Sequence, residues 1–317
     1  MSGAILVPLD GSTLSAHALP LACQLARRLN TTLQLVHVHV PVVELVGAEL
    51  GINGTQIVDT VRDTESRTAE QAYLDAMQQH VAVEQDLQVT TAILDGSIAD
   101  AITTYGSCTN TSLIVMTTHG RGPISRFWLG SVADQLVRHS PIPILLLRLK
   151  GMPPKQTLPE FRRVLLPVDG TMPGEQLIKM ALSLGQPQET HYILLHVIDP
   201  LLLVGANPFI YPSIPDTVTT QQREQEAKHY LDGIAHQLQQ AGVHTSTHIV
   251  MGQSPASAIL ETAQRENVDL IAMATHGRCG LPRLMLGSVT DKVLRGADTP
   301  VLLTCLGAPG KDALPSH

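Results

Sequence analysis

Residues 118–131 read THGRGPISRFWLGS and residues 275–288 read THGRCGLPRLMLGS, matching at eight of fourteen positions without a gap. Each block carries His-Gly (His119-Gly120, His276-Gly277), nine residues, then Gly-Ser (Gly130-Ser131, Gly287-Ser288). A connection that leaves a strand through glycine and opens a helix presents unbonded N–H groups and the positive end of a helix dipole, a setting for phosphate. Glycine admits a ligand close to the backbone because it has no Cβ, and Ser131 or Ser288 adds a hydroxyl donor. Arg121, Arg126 and Arg138 accompany one copy and Arg278, Arg283, Lys292 and Arg295 the other, against single acids at Asp134 and Asp291. These read as basic islands in an acidic chain. Helix capping by Gly and Ser is the plainer explanation of one copy, but capping does not demand the whole pattern twice. Neither copy contains GxxxxGK[ST], and no GxGxxG follows the first strand, so the loops are not of the two common nucleotide types.

Two further pairs flank the blocks: ILVPLDGS (5–12) with VLLPVDGT (164–171), and LVHV (35–38) with LLHV (194–197). Asp10 and Asp169 stand where a first strand should end, the place where doubly wound sheets bind ligands. A carboxylate there can accept from a ribose or a base amine, or it can cap the next helix. His37 and His196 fall inside strands and read as hydrogen-bonded core histidines. His119 and His276 have no Ser or Cys beside them as a dyad. Cys279 has Gly122 as its counterpart, which argues against a catalytic thiol. Trp128 and Met285 read as packing under the loops.

The offset between copies is 159 residues for Asp10/Asp169 and 157 for Ser131/Ser288. A shift that steady indicates duplication of a whole domain rather than a solenoid repeat. Two domains are predicted, at 1–149 and 162–308, with a proline-punctuated linker (150–161) and a loose tail (309–317). In each half, short Val/Ile/Leu-rich strands alternate with helical periodicity, as in a parallel sheet covered by helices on both faces. The predicted strands are 4–9, 33–40, 88–94, 112–117 and 142–147, then 163–168, 191–198, 244–250, 269–274 and 299–305. Helices are predicted near 59–80, 97–106 and 131–139. Ala18, Leu21, Ala22, Leu25, Ala26 and Leu29 share one helical face. The poorly matched stretches 41–58 and 199–218 read as surface loops. The last strands of the two halves, 141–148 and 299–305, are expected to pair as edges in an internal pseudo-dimer.

The 317 residues are 44% hydrophobic and 15% charged, as in buried sheets, with a net charge of −7 that disfavours nucleic acid as a partner. No apolar run approaches the roughly 18 residues that a membrane helix needs. The opening MSGAILVPLDGS enters a strand with no basic or signal-like region, and the four cysteines show no ligand spacing. The expectation is a cytoplasmic protein in a reducing compartment, with neither a membrane nor a protein-bound metal as partner.

In these motifs the chain resembles the universal stress protein family in tandem form. VPLDGS, LVHV, THG-x9-GSV and a terminal PILLL strand occur in order, followed by LPVDGT, LLHV, THG-x9-GSV and PVLLT. The resemblance implies an adenine-nucleotide α-hydrolase-like α/β fold, a doubly wound five-stranded parallel sheet of order 3-2-1-4-5 in each half, and, in one branch, ATP as ligand, with Mg2+ as its accompanying cation. Carried over, adenine and ribose would lie near Pro8, Leu9, Asp10 and Val38, and the phosphates against His119, Gly120, Gly130, Ser131 and Val132. The second half would use Pro167, Val168, Asp169 and Val197, then His276, Gly277, Gly287, Ser288 and Val289. The family signature is Gly, two residues, Gly, nine residues, then Gly-Ser or Gly-Thr, and its first glycine is Thr117 here in one half and Ala274 in the other. Thr adds a branched side chain where Ala adds a methyl, so the second site is predicted to bind more tightly. Three functions follow: an ATP-binding stress regulator, a pseudo-dimeric scaffold compatible with homo-oligomers, or a slow ATP hydrolase or AMP-transferring enzyme.

Overall fold

The apolar runs become parallel strands because a helix after each one carries the chain back to the same end of the sheet. Residues 3–46, 55–118, 129–148, 160–169, 174–186, 188–198, 217–274 and 286–304 are described by a computed structural model. It divides into two compact units, Met1–Thr117 and Thr118–His317.

In the first unit, β1 (Ala4–Pro8) leads through the four-residue α1 (Thr13–Ala16) to α2 (Leu19–Leu29) and β2 (Leu33–His39). β3 (Val43–Val46) and β4 (Thr55–Val58) form a small antiparallel ribbon ahead of the long α3 (Thr60–Gln85). β5 (Val89–Asp95), α4 (Ile98–Cys108) and β6 (Thr111–Thr118) follow. The parallel order is β5-β2-β1-β6, which in strand succession is 3-2-1-4. Ile5, Leu6 and Val7 are fully buried, as a strand covered on both faces requires. α2 buries Leu21, Ala22, Leu25 and Ala26 and ends at Asn30 in the left-handed conformation. The ribbon differs from the loop predicted over 41–58. Its strands are only four residues long, and Val43 and Val58 at its ends are exposed, so no long apolar run marks them in the sequence.

The second unit holds α5 (Ser131–His139), β7 (Ile144–Arg148), β8 (Arg163–Pro167), α6 (Gly174–Leu184), β9 (His191–Ile198) and α7 (Thr217–Gln240). β10 (His244–Met251), α8 (Pro255–Arg265), β11 (Leu270–Ala274), α9 (Ser288–Gly296) and β12 (Val301–Thr304) complete it. The parallel run β10-β9-β8-β11-β12 is 3-2-1-4-5, as predicted. β12 then pairs antiparallel with β7, Val301 opposite Leu146 and Leu303 opposite Ile144. The two predicted last strands thus satisfy each other's backbone edges. Arg148, at the end of β7, donates to the carbonyls of Arg295 (3.0 Å) and Ala297 (2.8 Å), two acceptors left open where α9 ends.

Candidate functional site

In the first unit, β1 delivers Pro8, the buried Leu9 and the exposed Asp10 to its carboxyl end. Leu9 N–H donates to Val36 O at 2.8 Å, and Leu9 O lies 2.9 Å from His37 Nδ1. A carbonyl can only accept, so Nδ1 carries the proton. Asp10 Oδ1 accepts from the Ser12 hydroxyl (2.6 Å) and the Ser12 N–H (3.0 Å), and Asp10 N–H donates to Ser15 Oγ at 3.2 Å. Ser12, rather than Asp10, caps α1, accepting from Ser15 N–H at 3.1 Å. Burial works against the Asp10 carboxylate, but the bonds from Ser12 and Ser15 outweigh it and hold the acid below its ordinary pKa. Val38 and Thr117 are both buried at 8% exposure. Thr117 spends its hydroxyl on the Leu14 carbonyl, at 3.0 Å.

The second unit repeats the strand end. Val168 N–H donates to Leu195 O and His196 Nδ1 to Val168 O, each at 2.9 Å. Pro167 closes β8, Asp169 is exposed, and Val197 is half-buried. The carbonyl of Ala274, at the end of β11, accepts from Thr290 Oγ at 3.3 Å. That bond fixes the first turn of α9 against the strand, and so gathers Ala274, Gly287, Ser288 and Val289. His119, Gly120, His276 and Gly277 lie outside the described residues, as do Arg121, Arg126, Arg278, Arg283 and Trp128.

Gly130, Ser131 and Val132 open α5 and belong to the second unit. Gly130 has φ 69° and ψ 147°, a conformation open to glycine alone, whereas Gly287 at φ −57° and ψ 140° stands where any residue fits. Neither helix start has a side-chain cap, and Ser131 and Ser288 are exposed.

Two of the predicted counter-charges are committed elsewhere. Arg138 binds Asp134 through two bonds of 2.8 Å, and Arg295 binds Asp291 at 2.8 and 3.0 Å. The Asp134 hydrogen bond chiefly raises Arg138 above its ordinary pKa, and the Asp291 charge contributes; Arg295 is raised by the reciprocal set. Both pairs span one helical turn, the spacing at which Asp and Arg meet.

Sequence reasoning missed two features. Tyr73 and Tyr230 occupy Tyr-Leu-Asp triplets 157 residues apart, each beside a fully buried leucine, Leu74 or Leu231. The Tyr230 ring meets His196 edge-on, centroids 6.5 Å apart. Burial first, and then the charge of Asp10 or Asp169, raises the pKa of each phenol, a contact with the Ser15 hydroxyl opposing the rise at Tyr73. The second feature is His39, 1% exposed, held by Glu70 (Nδ1, 2.8 Å) and Asp63 (Nε2, 3.0 Å). Burial opposes its protonation, but bonds to Glu70 and Asp63 win and raise its pKa. Asp63 also accepts from Val42 N–H at 3.0 Å, and that bond, with His39, lowers its pKa. Ile198 stands at the corresponding position of the second half.

No helix among the described residues is long and apolar enough to cross a membrane. The family model of the universal stress protein family matches residues 1–148 and again 160–304. A universal stress protein of Mycobacterium tuberculosis is 26% identical over 325 residues, spanning 98% of this chain and 97% of its own. One from Methanocaldococcus jannaschii is 30% identical over 155 residues, or 45% of this chain and 94% of its own. The crystal structure of a universal stress protein from Archaeoglobus fulgidus matches with a TM-score of 0.65 at 20% identity, covering 97% of each chain, a likeness that bears on the fold. With its motifs in order and the family model matched twice, the chain belongs to the universal stress protein family.

Proposed function

We propose that the chain is a cytoplasmic stress-response regulator that binds ATP in each of two halves, 1–149 and 162–308, without rapid turnover. The observation that carries this reading is the strand end built twice. An imidazole holds the carbonyl before a solvent-facing aspartate, His37 before Asp10 and His196 before Asp169. In the second half the uncapped helix start at Gly287-Ser288 is tied to that same end through Thr290 and Ala274. Fixed N–H donors there suit phosphates, and a carboxylate beside a rigid carbonyl suits a ribose. Base and ribose are assigned to Pro167, Val168, Asp169 and Val197, and to Pro8, Leu9, Asp10 and Val38. The phosphates are assigned to the glycine loops, with any Mg2+ arriving on the nucleotide.

Regulation rather than hydrolysis is supported by Asp134 and Asp291. These acids, in the first turns of α5 and α9, are each clamped by an arginine, whereas phosphoryl transfer calls for a carboxylate that orients water or metal. The pairing of β7 with β12 favours a second reading, a pseudo-dimeric scaffold that does not need ligand. Equilibrium dialysis with labelled ATP tests the proposal: micromolar retention with no ADP or AMP after long incubation is expected. Absence of retention would leave the scaffold, and steady product release would indicate a hydrolase.

A further inference from the structure

We infer that Tyr73 and Tyr230 are specificity residues whose phenol hydroxyls read a sugar hydroxyl of the ligand, selecting ribonucleotides over deoxyribonucleotides; this deepens the nucleotide reading and rests on it. The geometry comes from both halves. In the first, His37 connects the strand end to α3: Nδ1 holds Leu9 O at 2.9 Å, and Nε2 lies 3.6 Å from Glu70 Oε1. Tyr73 is three residues beyond Glu70, on the same face of the helix. Its hydroxyl oxygen is buried and makes no hydrogen bond of good geometry among the described residues. The Ser15 hydroxyl lies beside it, donating to Ser12 O at 3.0 Å and accepting from Asp10 N–H at 3.2 Å, and gives the phenol only a weak contact that slightly favours the ionised form. In the second half Tyr230 packs its ring against His196, the residue that holds Val168 O ahead of Asp169. Each tyrosine therefore belongs to the helix face that meets the histidine holding the carbonyl before the aspartate assigned to ribose, near enough for that aspartate's charge to act on its phenol.

A buried hydroxyl such as that of Tyr73 is costly when poorly bonded, and the cost disappears when a ligand supplies a partner. Asp10 Oδ1 is engaged by Ser12, which leaves Oδ2 to accept from a ligand hydroxyl. A ligand hydroxyl bound at the aspartate offers both a donor and an acceptor at that place. A sugar lacking that hydroxyl would leave the phenol unsatisfied, which is the discrimination that polar sites achieve best.

The test uses the full chain and its Tyr73→Phe/Tyr230→Phe variant, which keeps both rings and removes two oxygens. Equilibrium dialysis compares ATP, 2′-deoxy-ATP and 3′-deoxy-ATP. The wild type should prefer ATP over at least one deoxy analogue by about tenfold, the effect of one hydrogen bond. The variant should lose about tenfold for ATP and nothing for that analogue, so the preference vanishes. If the variant weakens all three equally, or none, the tyrosines do not read the sugar while ATP binding stands. If the wild type binds none of the three, the nucleotide reading itself falls and takes this inference with it.

Discussion

The two halves share a frame but are finished differently. Both hold the carbonyl before Asp10 or Asp169 with a histidine, and both set a tyrosine beside it. The first half adds polar closure: Thr117 reaches across to Leu14, and His39 joins two acids of α3 to the end of β2. The second has Ala274 and Ile198 at these positions and an unstrained Gly287. After duplication, a binding frame tolerates little change in its backbone anchors, whereas the side chains around it are free to diverge. On this account the first half has exchanged room at the strand end for internal bonds, and the second has kept the room.

The largest effect expected from breaking this comparison is at the second loop. Gly287→Val with Ser288→Ala should abolish ATP binding in the second half, a loss beyond roughly a hundredfold, or about 2.7 kcal/mol. The fold should survive, because Val adopts φ −57° and ψ 140° without strain. Dialysis together with circular dichroism checks it, and unchanged affinity in a folded variant would reject the assignment.

Next is His39→Ile, which writes the second half's residue into the first. Losing two charge-assisted hydrogen bonds should cost about 2–3 kcal/mol near pH 6. His39 has a raised folded-state pKa, so its contribution is complete below the ordinary histidine value of about 6.5 and fades as pH rises through the raised value. Asp63, with its lowered pKa, contributes above the ordinary aspartate value of about 3.9 and is lost only as pH falls below that. Urea titrations should therefore show the difference between wild type and variant shrinking from pH 6 to 9. A pH-independent difference would mean that His39 acts by packing alone.

The glycines separate the halves again. Gly130→Ala should cost about 1–2 kcal/mol, because φ 69° is closed to a side chain, while Gly287→Ala should stay within about 0.5 kcal/mol. Equal costs in denaturant titrations would show that the two loops have one conformation. The smallest effect is at Thr117. Thr117→Gly should strengthen ATP binding in the first half by about tenfold.

Much of the fold was readable because strands covered on both faces leave continuous apolar runs, such as AILVP and RVLLP, each followed by helical periodicity. The strand-end residues were readable because they recur at a constant offset. Tyr73 and Tyr230 recur as faithfully, but in long polar helices where a Tyr-Leu-Asp triplet looks like ordinary packing. The Asp134–Arg138 and Asp291–Arg295 pairs were visible as one-turn spacings, yet counting charges along the segment hid which acid each arginine meets. The His39 cluster unites residues 24 to 31 positions apart, and no local pattern announces such a contact.

The central claim is that the second half binds ATP more tightly than the first. Trp128, the only tryptophan of the sequence, belongs to the first of the two repeated blocks, so its fluorescence is assigned to the first site. An ATP titration followed in parallel by dialysis and Trp128 fluorescence should resolve two constants, with fluorescence changing at the weaker one. A Trp128 response that follows the tighter constant would contradict the account.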